Sequence, residues 1–244
     1  MEDALSVYTR PYNKEQPVVC LDEKTKELHA TPRGRIAPQP EKPAREDYEY
    51  KRNGTRNLFL AVEPLRGWRK VRVTQRRTAL DFAEQLRQLV EEDYPHAKQI
   101  VLLTDNLNTH TPACLYEAFA PAQARTIAAK LEWHYTPEHG SWLNMAECEL
   151  SVLGKQCLNR RIADADTLER EAAAWERERN AQNVTIEFVG EKPKRKSIGL
   201  RSLCKTCVLR EKPRAKQKKP PARRFSRALE TNTPAIDLSH RQRV

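Results

Sequence analysis

Apolar positions fall at strand spacing in several short runs and at helical spacing between them. In segment 17–22, Val18 and Cys20 point to one face and Val19 and Leu21 to the other, so the run predicts a strand buried from both sides and ending on Asp22. Segments 58–62 and 69–74 flank a turn over 64–67 that carries Arg66-Gly67, which predicts a hairpin. A second two-sided run, Ile100-Val101-Leu102-Leu103-Thr104, delivers Asp105 at its carboxyl end, and 131–135 reads as a further short strand.

Helical patterns fill the intervals. Thr78 followed by Asp81 resembles a capping box, and Leu80, Ala83, Leu86, Leu89 and Val90 supply an apolar stripe that stops before Pro95. Helical segments are expected over 112–130 with a break near Pro121, from an N-cap at Ser141 to about 159, and over 167–180. Segment 1–16 is polar and aperiodic, and 24–53, rich in charge and in Pro32, Pro38, Pro40 and Pro43, reads as a long irregular loop. Strand, hairpin, helix, strand, helix, strand, helix is a mixed α/β order, one sheet covered by helices.

Asp22 and Asp105 end apolar runs, and a third acid, Glu147, borders the apolar positions Leu143, Ala146, Leu150 and Leu153 of the 141–159 helix. Glu149 lies about 200° further around that helix and is expected to face water, which leaves Glu147 as the inward candidate. Each acid alone has an ordinary explanation as a solvated loop residue, a cap or a salt-bridge partner. Three delivered by different elements suit a divalent metal, because crowded carboxylates need a cation to offset their repulsion.

Charge is unevenly spread. The formal net charge is +11, yet segment 191–224 holds 14 Lys/Arg against 2 Asp/Glu, so the remainder is close to neutral. The basic end favours a polyanionic partner such as nucleic acid. Arg69, Lys70, Arg72, Arg76 and Arg77 form a second basic cluster, either a DNA-facing surface or an ordinary solvated face. No run is long enough to span a bilayer, and the scattered cysteines show no disulfide framework, so a reduced cytosolic protein is expected. A lone Cys204-Lys205-Thr206-Cys207 is weak as a zinc signal.

Val18-Val19-Cys20-Leu21-Asp22-Glu23, Leu102-Leu103-Thr104-Asp105-Asn106-Leu107-Asn108-Thr109-His110 and His139-Gly140-Ser141-Trp142-Leu143-Asn144-Met145-Ala146-Glu147 resemble the motifs of the IS630 group of transposases, in the IS630/Tc1/mariner superfamily. The resemblance covers 17–187 and implies an RNase H-like catalytic domain with an acidic triad at Asp22, Asp105 and Glu147. It further implies two Mg²⁺ or Mn²⁺ ions, cleavage of double-stranded DNA at the terminal inverted repeats of an insertion sequence, and strand transfer into target DNA. Asn106, Asn108 and His110 would then orient the second acid or contact phosphate, or else cap the following helix. Arg69, Lys70, Arg72, Lys194, Arg195 and Lys196 are the candidate DNA contacts. A homodimer, a separate amino-terminal DNA-binding module and a nucleoid-associated location are further expectations.

Two departures qualify the resemblance. Only 21 residues precede Asp22 where relatives carry helix-turn-helix modules, so the chain is expected to be the catalytic half. Beyond 187 the family ending is replaced by a basic Pro/Lys/Arg-rich tail, 188–244, expected to be disordered. The competing readings are a non-catalytic DNA-binding remnant and an RNase H-like nuclease acting on RNA–DNA hybrids.

Overall fold

The computed structural model describes residues 1–33, 35–36, 45–46, 48–188 and 207–210. Its elements are α1 (Glu2–Tyr8), β1 (Val18–Ala30), the two-residue strands β2 (Arg35–Ile36) and β3 (Arg45–Glu46), β4 (Lys51–Glu63), β5 (Trp68–Thr74), α2 (Ala79–Gln88), β6 (Ile100–Thr104), α3 (Ala113–Ala118), α4 (Pro121–Ala129), β7 (Leu131–Tyr135), α5 (Met145–Leu153), α6 (Ala165–Ala181), β8 (Thr185–Phe188) and β9 (Cys207–Arg210).

Five strands form the central sheet in the order β5-β4-β1-β6-β7. The first three are antiparallel neighbours, and β6 and β7 continue parallel to β1. That order and sense are the RNase H-like arrangement. The two-sided apolar runs explain the layering. Cys20, Leu58, Leu60, Val101 and Leu103 pack against α1, α5 and α6, through Val7, Met145, Leu150, Leu153, Leu168 and Trp175. Val19, Leu21, Phe59, Ala61 and Leu102 pack on the opposite face against α2, α3 and α4, through Phe82, Leu86, Leu115 and Ile127. Alternation along β1 therefore assigns each following residue to a known layer.

The turn between β4 and β5 depends on Gly67, which has φ 71°. A Cβ there would stand 2.9 Å from the backbone of Asn183 and Val184, so only glycine fits this close approach. At α2 the capping box is complete: Thr78 and Asp81 each accept the other's backbone N–H.

Several expectations change. Both ends of the 24–53 loop are strand, because β1 runs on to Ala30 paired with β4 as far as Lys51, with one register shift between Glu27 and His29. This extension is mostly exposed, so its polarity hides it from a reading based on apolar periodicity. Segment 1–16 is part of the fold: α1 buries Ala4 and Val7. Leu80 is exposed and Phe82 takes its place in the α2 stripe. The helix expected from an N-cap at Ser141 is α5, capped instead by Asn144 after a 3₁₀ turn over Ser141–Leu143. In the segment expected to be a disordered tail, the strand Cys207–Arg210 pairs antiparallel with β8. Cys204 and the basic run Lys194, Arg195 and Lys196 lie outside the described residues. Among the described residues no helix is long and apolar enough to cross a membrane.

Candidate active site

Strand pairing brings the first two acids together. Cys20 of β1 pairs with Leu103 of β6 in parallel register. Two positions further along both chains stand Asp22 and Asp105, on neighbouring tracks about 4.8 Å apart. Asp22 shares the Cys20 face, toward α5, and its Oδ1 accepts the Glu23 backbone N–H at 2.8 Å. It lies within β1 rather than at its end, as the extension of that strand requires.

Asn144 brings in the third. Its Oδ1 accepts the Ala146 N–H at 3.1 Å, capping α5, while its buried Nδ2 donates to the Leu21 carbonyl at 3.0 Å. The first turn of α5, and with it Glu147, is thereby tied to β1 one residue before Asp22. Tyr8 of α1 reinforces the junction: its hydroxyl donates to the Leu143 carbonyl at 2.6 Å and accepts from the Met145 N–H at 3.3 Å.

The electrostatics record this proximity. Burial raises the Asp22 carboxyl most, the Glu23 N–H bond opposes it, and repulsion from Asp105, Glu23 and Glu147 raises it further, to about 7. Three of the four acids come from different elements, and each makes the next harder to ionise.

His110 braces the second acid. Its buried ring stacks on Phe82 with centroids 4.0 Å apart. Nδ1 is in close contact with Asp105 Oδ1, and Nε2 stands 3.2 Å from Glu23 Oε2. Glu23 Oε2 is buried and no hydrogen bond satisfies it, so its contact with His110 is an ion pair. Burial alone would lower the imidazole, but the contact with Asp105 and the negative charges of Asp105 and Glu23 raise it to about 9, so His110 is a cation at neutral pH. Of the three residues grouped after the second acid, only His110 reaches it. Asn106 and Asn108 are exposed, and the following helix takes its N-cap from Pro112 without a side-chain bond.

No three His, Cys, Asp or Glu side chains among the described residues converge closely enough to enclose a metal ion. The chemistry of the donor set nonetheless fits a divalent cation: hard carboxylate oxygens, mutually repelling, with a raised Asp22.

Two sequence assignments are corrected. Glu149, expected in water, is 0% exposed, while Glu147 is exposed at the site. Glu149 Oε2 and Oε1 accept from Arg69 Nε and Nη2 at 2.8 and 3.1 Å, and Arg179 Nη2 adds a third contact at 3.2 Å. Arg69, a candidate DNA contact, is also 0% exposed and spends its remaining donors on the Gly67 and Val184 carbonyls, so it offers DNA nothing. Its neighbours are committed as well: Arg72 to Asp93 at 2.6 Å and Lys70 to Glu176 at 3.2 Å. Asn144 and Tyr8 escaped the sequence reading. Asn144 carried a signal, an Asn three residues before a Glu, which marks a helix start. Tyr8 carried none, since Leu143 and Met145, which it joins to α1, are more than 130 residues away.

A family model described as DDE superfamily endonuclease matches residues 17–169, more than half of the chain. No curated protein matches. Among solved structures, the crystal structure of the Mos1 strand transfer complex is similar at 17% identity and a TM-score of 0.43, covering 75% of this chain. The alignment spans 57% of the length of the Mos1 chain.

Proposed function

The chain belongs to the DDE superfamily endonuclease family, and from that premise we propose that it is the catalytic domain of an IS630-type transposase, cutting DNA strands at insertion-sequence ends and joining them to target DNA. The observation that supports this reading is placement: Asp22 and Asp105 follow paired residues of β1 and β6 on adjacent tracks, and Asn144 ties the first turn of α5, which bears Glu147, to the Leu21 carbonyl beside Asp22.

On this reading Asp22, Asp105 and Glu147 hold Mg²⁺ or Mn²⁺. A metal bound there would supply Lewis-acid chemistry, activation of an oxygen nucleophile and neutralisation of charge on a phosphoryl group. The protein's own part is positioning. The His110 cation holds Asp105 from behind, with Glu23 as its counter-charge on the far ring nitrogen. Asn144 sets the start of α5 against β1, so Glu147 projects from a fixed turn into solvent where a DNA strand can approach. Double-stranded DNA is the partner in both steps, with a homodimer and a separate end-recognition module as the assembly this chemistry would use at paired ends.

Incubation of the full chain with labelled DNA duplex and RNA–DNA hybrid, in Mg²⁺, Mn²⁺ or EDTA, tests the proposal. Metal-dependent cleavage of duplex supports it. Cleavage confined to the hybrid favours an RNase H-like nuclease, and binding without cleavage in any metal leaves a DNA-binding remnant.

A further inference from the structure

The strand β1 and the helix α5 run side by side in the same direction, and their contacts step along both in order. Asn144 meets Leu21, Lys24 meets Gly154, and Lys26 meets the carbonyls of Leu158 and Arg160. The carboxylates Asp22 and Glu147 stand between the first contact and the second. Lys24 is therefore the next side chain after Asp22 on the α5 face of the sheet, about 6.6 Å further along the strand.

The two lysines of this face are used differently. Lys26 Nζ donates to the Leu158 and Arg160 carbonyls at 2.7 and 3.0 Å, closing the end of the turn Gly154–Leu158 that follows α5. Lys24 is exposed, and no carboxylate among the described residues pairs with it. The residue opposite it is equally telling. Gly154 has helical angles, φ −54° and ψ −48°, where alanine would be more stable by about 1 kcal/mol. A Cβ on Gly154 would meet Lys24 Nζ at 3.2 Å. The glycine leaves the ammonium a clear path along the helix, at the end of the exposed helix face that runs from Glu147 through Ser151.

We propose that Lys24 is a DNA-binding residue that contacts a backbone phosphate of the strand lying across the carboxylates, and that Gly154 keeps its channel open. This rests on the reading of the carboxylates as a DNA-cleaving site. Lys24 Nζ lies against Gly154, seven residues and about 10 Å along the helix from Glu147, so a phosphodiester strand crossing the acids and following α5 brings a nearby backbone phosphate to the ammonium. The lysine balances the negative potential that the carboxylates present to an approaching strand, and it sets which way the strand lies across them.

The test is fluorescence anisotropy of a labelled duplex bound by the full chain, over a series of salt concentrations with EDTA to prevent cleavage. Lys24→Gln is expected to weaken binding severalfold and to reduce the slope of log affinity against log salt by about 0.9, one phosphate contact. Lys24→Arg is expected to restore both. Gly154→Leu, which fills the channel from the helix side, is expected to reduce the slope as Lys24→Gln does without touching the lysine. A wild-type chain that binds and nicks DNA, with affinity and slope unchanged in Lys24→Gln and Gly154→Leu, overturns this inference and leaves the cleavage reading standing. A wild-type chain that neither binds nor nicks DNA overturns both.

Discussion

Arg69 and Glu149 form a two-point ion pair with both side chains wholly withdrawn from solvent, joining β5 to α5. Burial would raise the Glu149 carboxyl, but the hydrogen bonds and charge of Arg69, followed by those of Arg179, hold it below the usual carboxylate range. Removing one partner leaves the other charge buried and uncompensated. Glu149→Gln is expected to cost about 3–5 kcal/mol in denaturant unfolding, whereas Glu147→Gln, two residues away and exposed, is expected to stay within about 0.5 kcal/mol while abolishing cleavage. Since the Glu149 carboxyl is depressed, its stabilisation is full above the unfolded value of 4.5 and is lost as pH falls through the folded one.

Asp22 gives the opposite pH dependence. Its carboxyl is raised from 3.8 to about 7, so the metal-free folded state holds a proton there that the unfolded chain has released. Its contribution to stability therefore declines as pH rises from about 4 to about 7. Asp22→Asn is expected to be more stable than the metal-free wild type at pH 8, on the order of 2 kcal/mol, and to match it near pH 4. Thermal unfolding in EDTA at the two pH values checks this. Added Mg²⁺ is expected to stabilise only the wild type.

The His110 imidazole is expected to titrate near pH 9 by NMR, above the ordinary histidine range, because Asp105 and Glu23 outweigh its burial. Asp105→Asn and Glu23→Gln are each expected to lower that value. The associated stabilisation is complete below the unfolded histidine value of 6.5 and disappears as pH rises through about 9. His110→Gln is expected to reduce cleavage by at least tenfold, on the scale seen when the partner that orients a metal-binding side chain is removed.

The sheet was legible because Val18-Val19-Cys20-Leu21 and Ile100-Val101-Leu102-Leu103 are apolar on both faces, and only a central strand needs that. Asp22 and Asp105 drew notice for the same reason, each standing just beyond such a run, whereas Glu147 was picked out by the helical spacing of Leu143, Ala146, Leu150 and Leu153. What escaped was whatever depended on polar residues finding partners far away. The β1 extension is paired by backbone bonds between polar residues, which leave no apolar period. The exchange of Glu147 and Glu149 has one cause: helical geometry correctly set them on different faces, but the face of Glu149 contains Arg69 and Arg179, brought there by β5 and α6. A basic cluster in sequence gave no hint that Arg69 faces inward, because its partner lies 80 residues away.

Nicking of supercoiled plasmid by the full chain in Mg²⁺ or Mn²⁺, with Asp105→Asn as the comparison, tests the central claim most directly. The substitution keeps the size of the side chain and removes the charge that would hold the metal. The account predicts metal-dependent nicking by the wild type and none by Asp105→Asn, with both proteins equally folded and both bound to DNA. Equal nicking by the two, or none by either while DNA remains bound, would contradict a catalytic role for the three carboxylates.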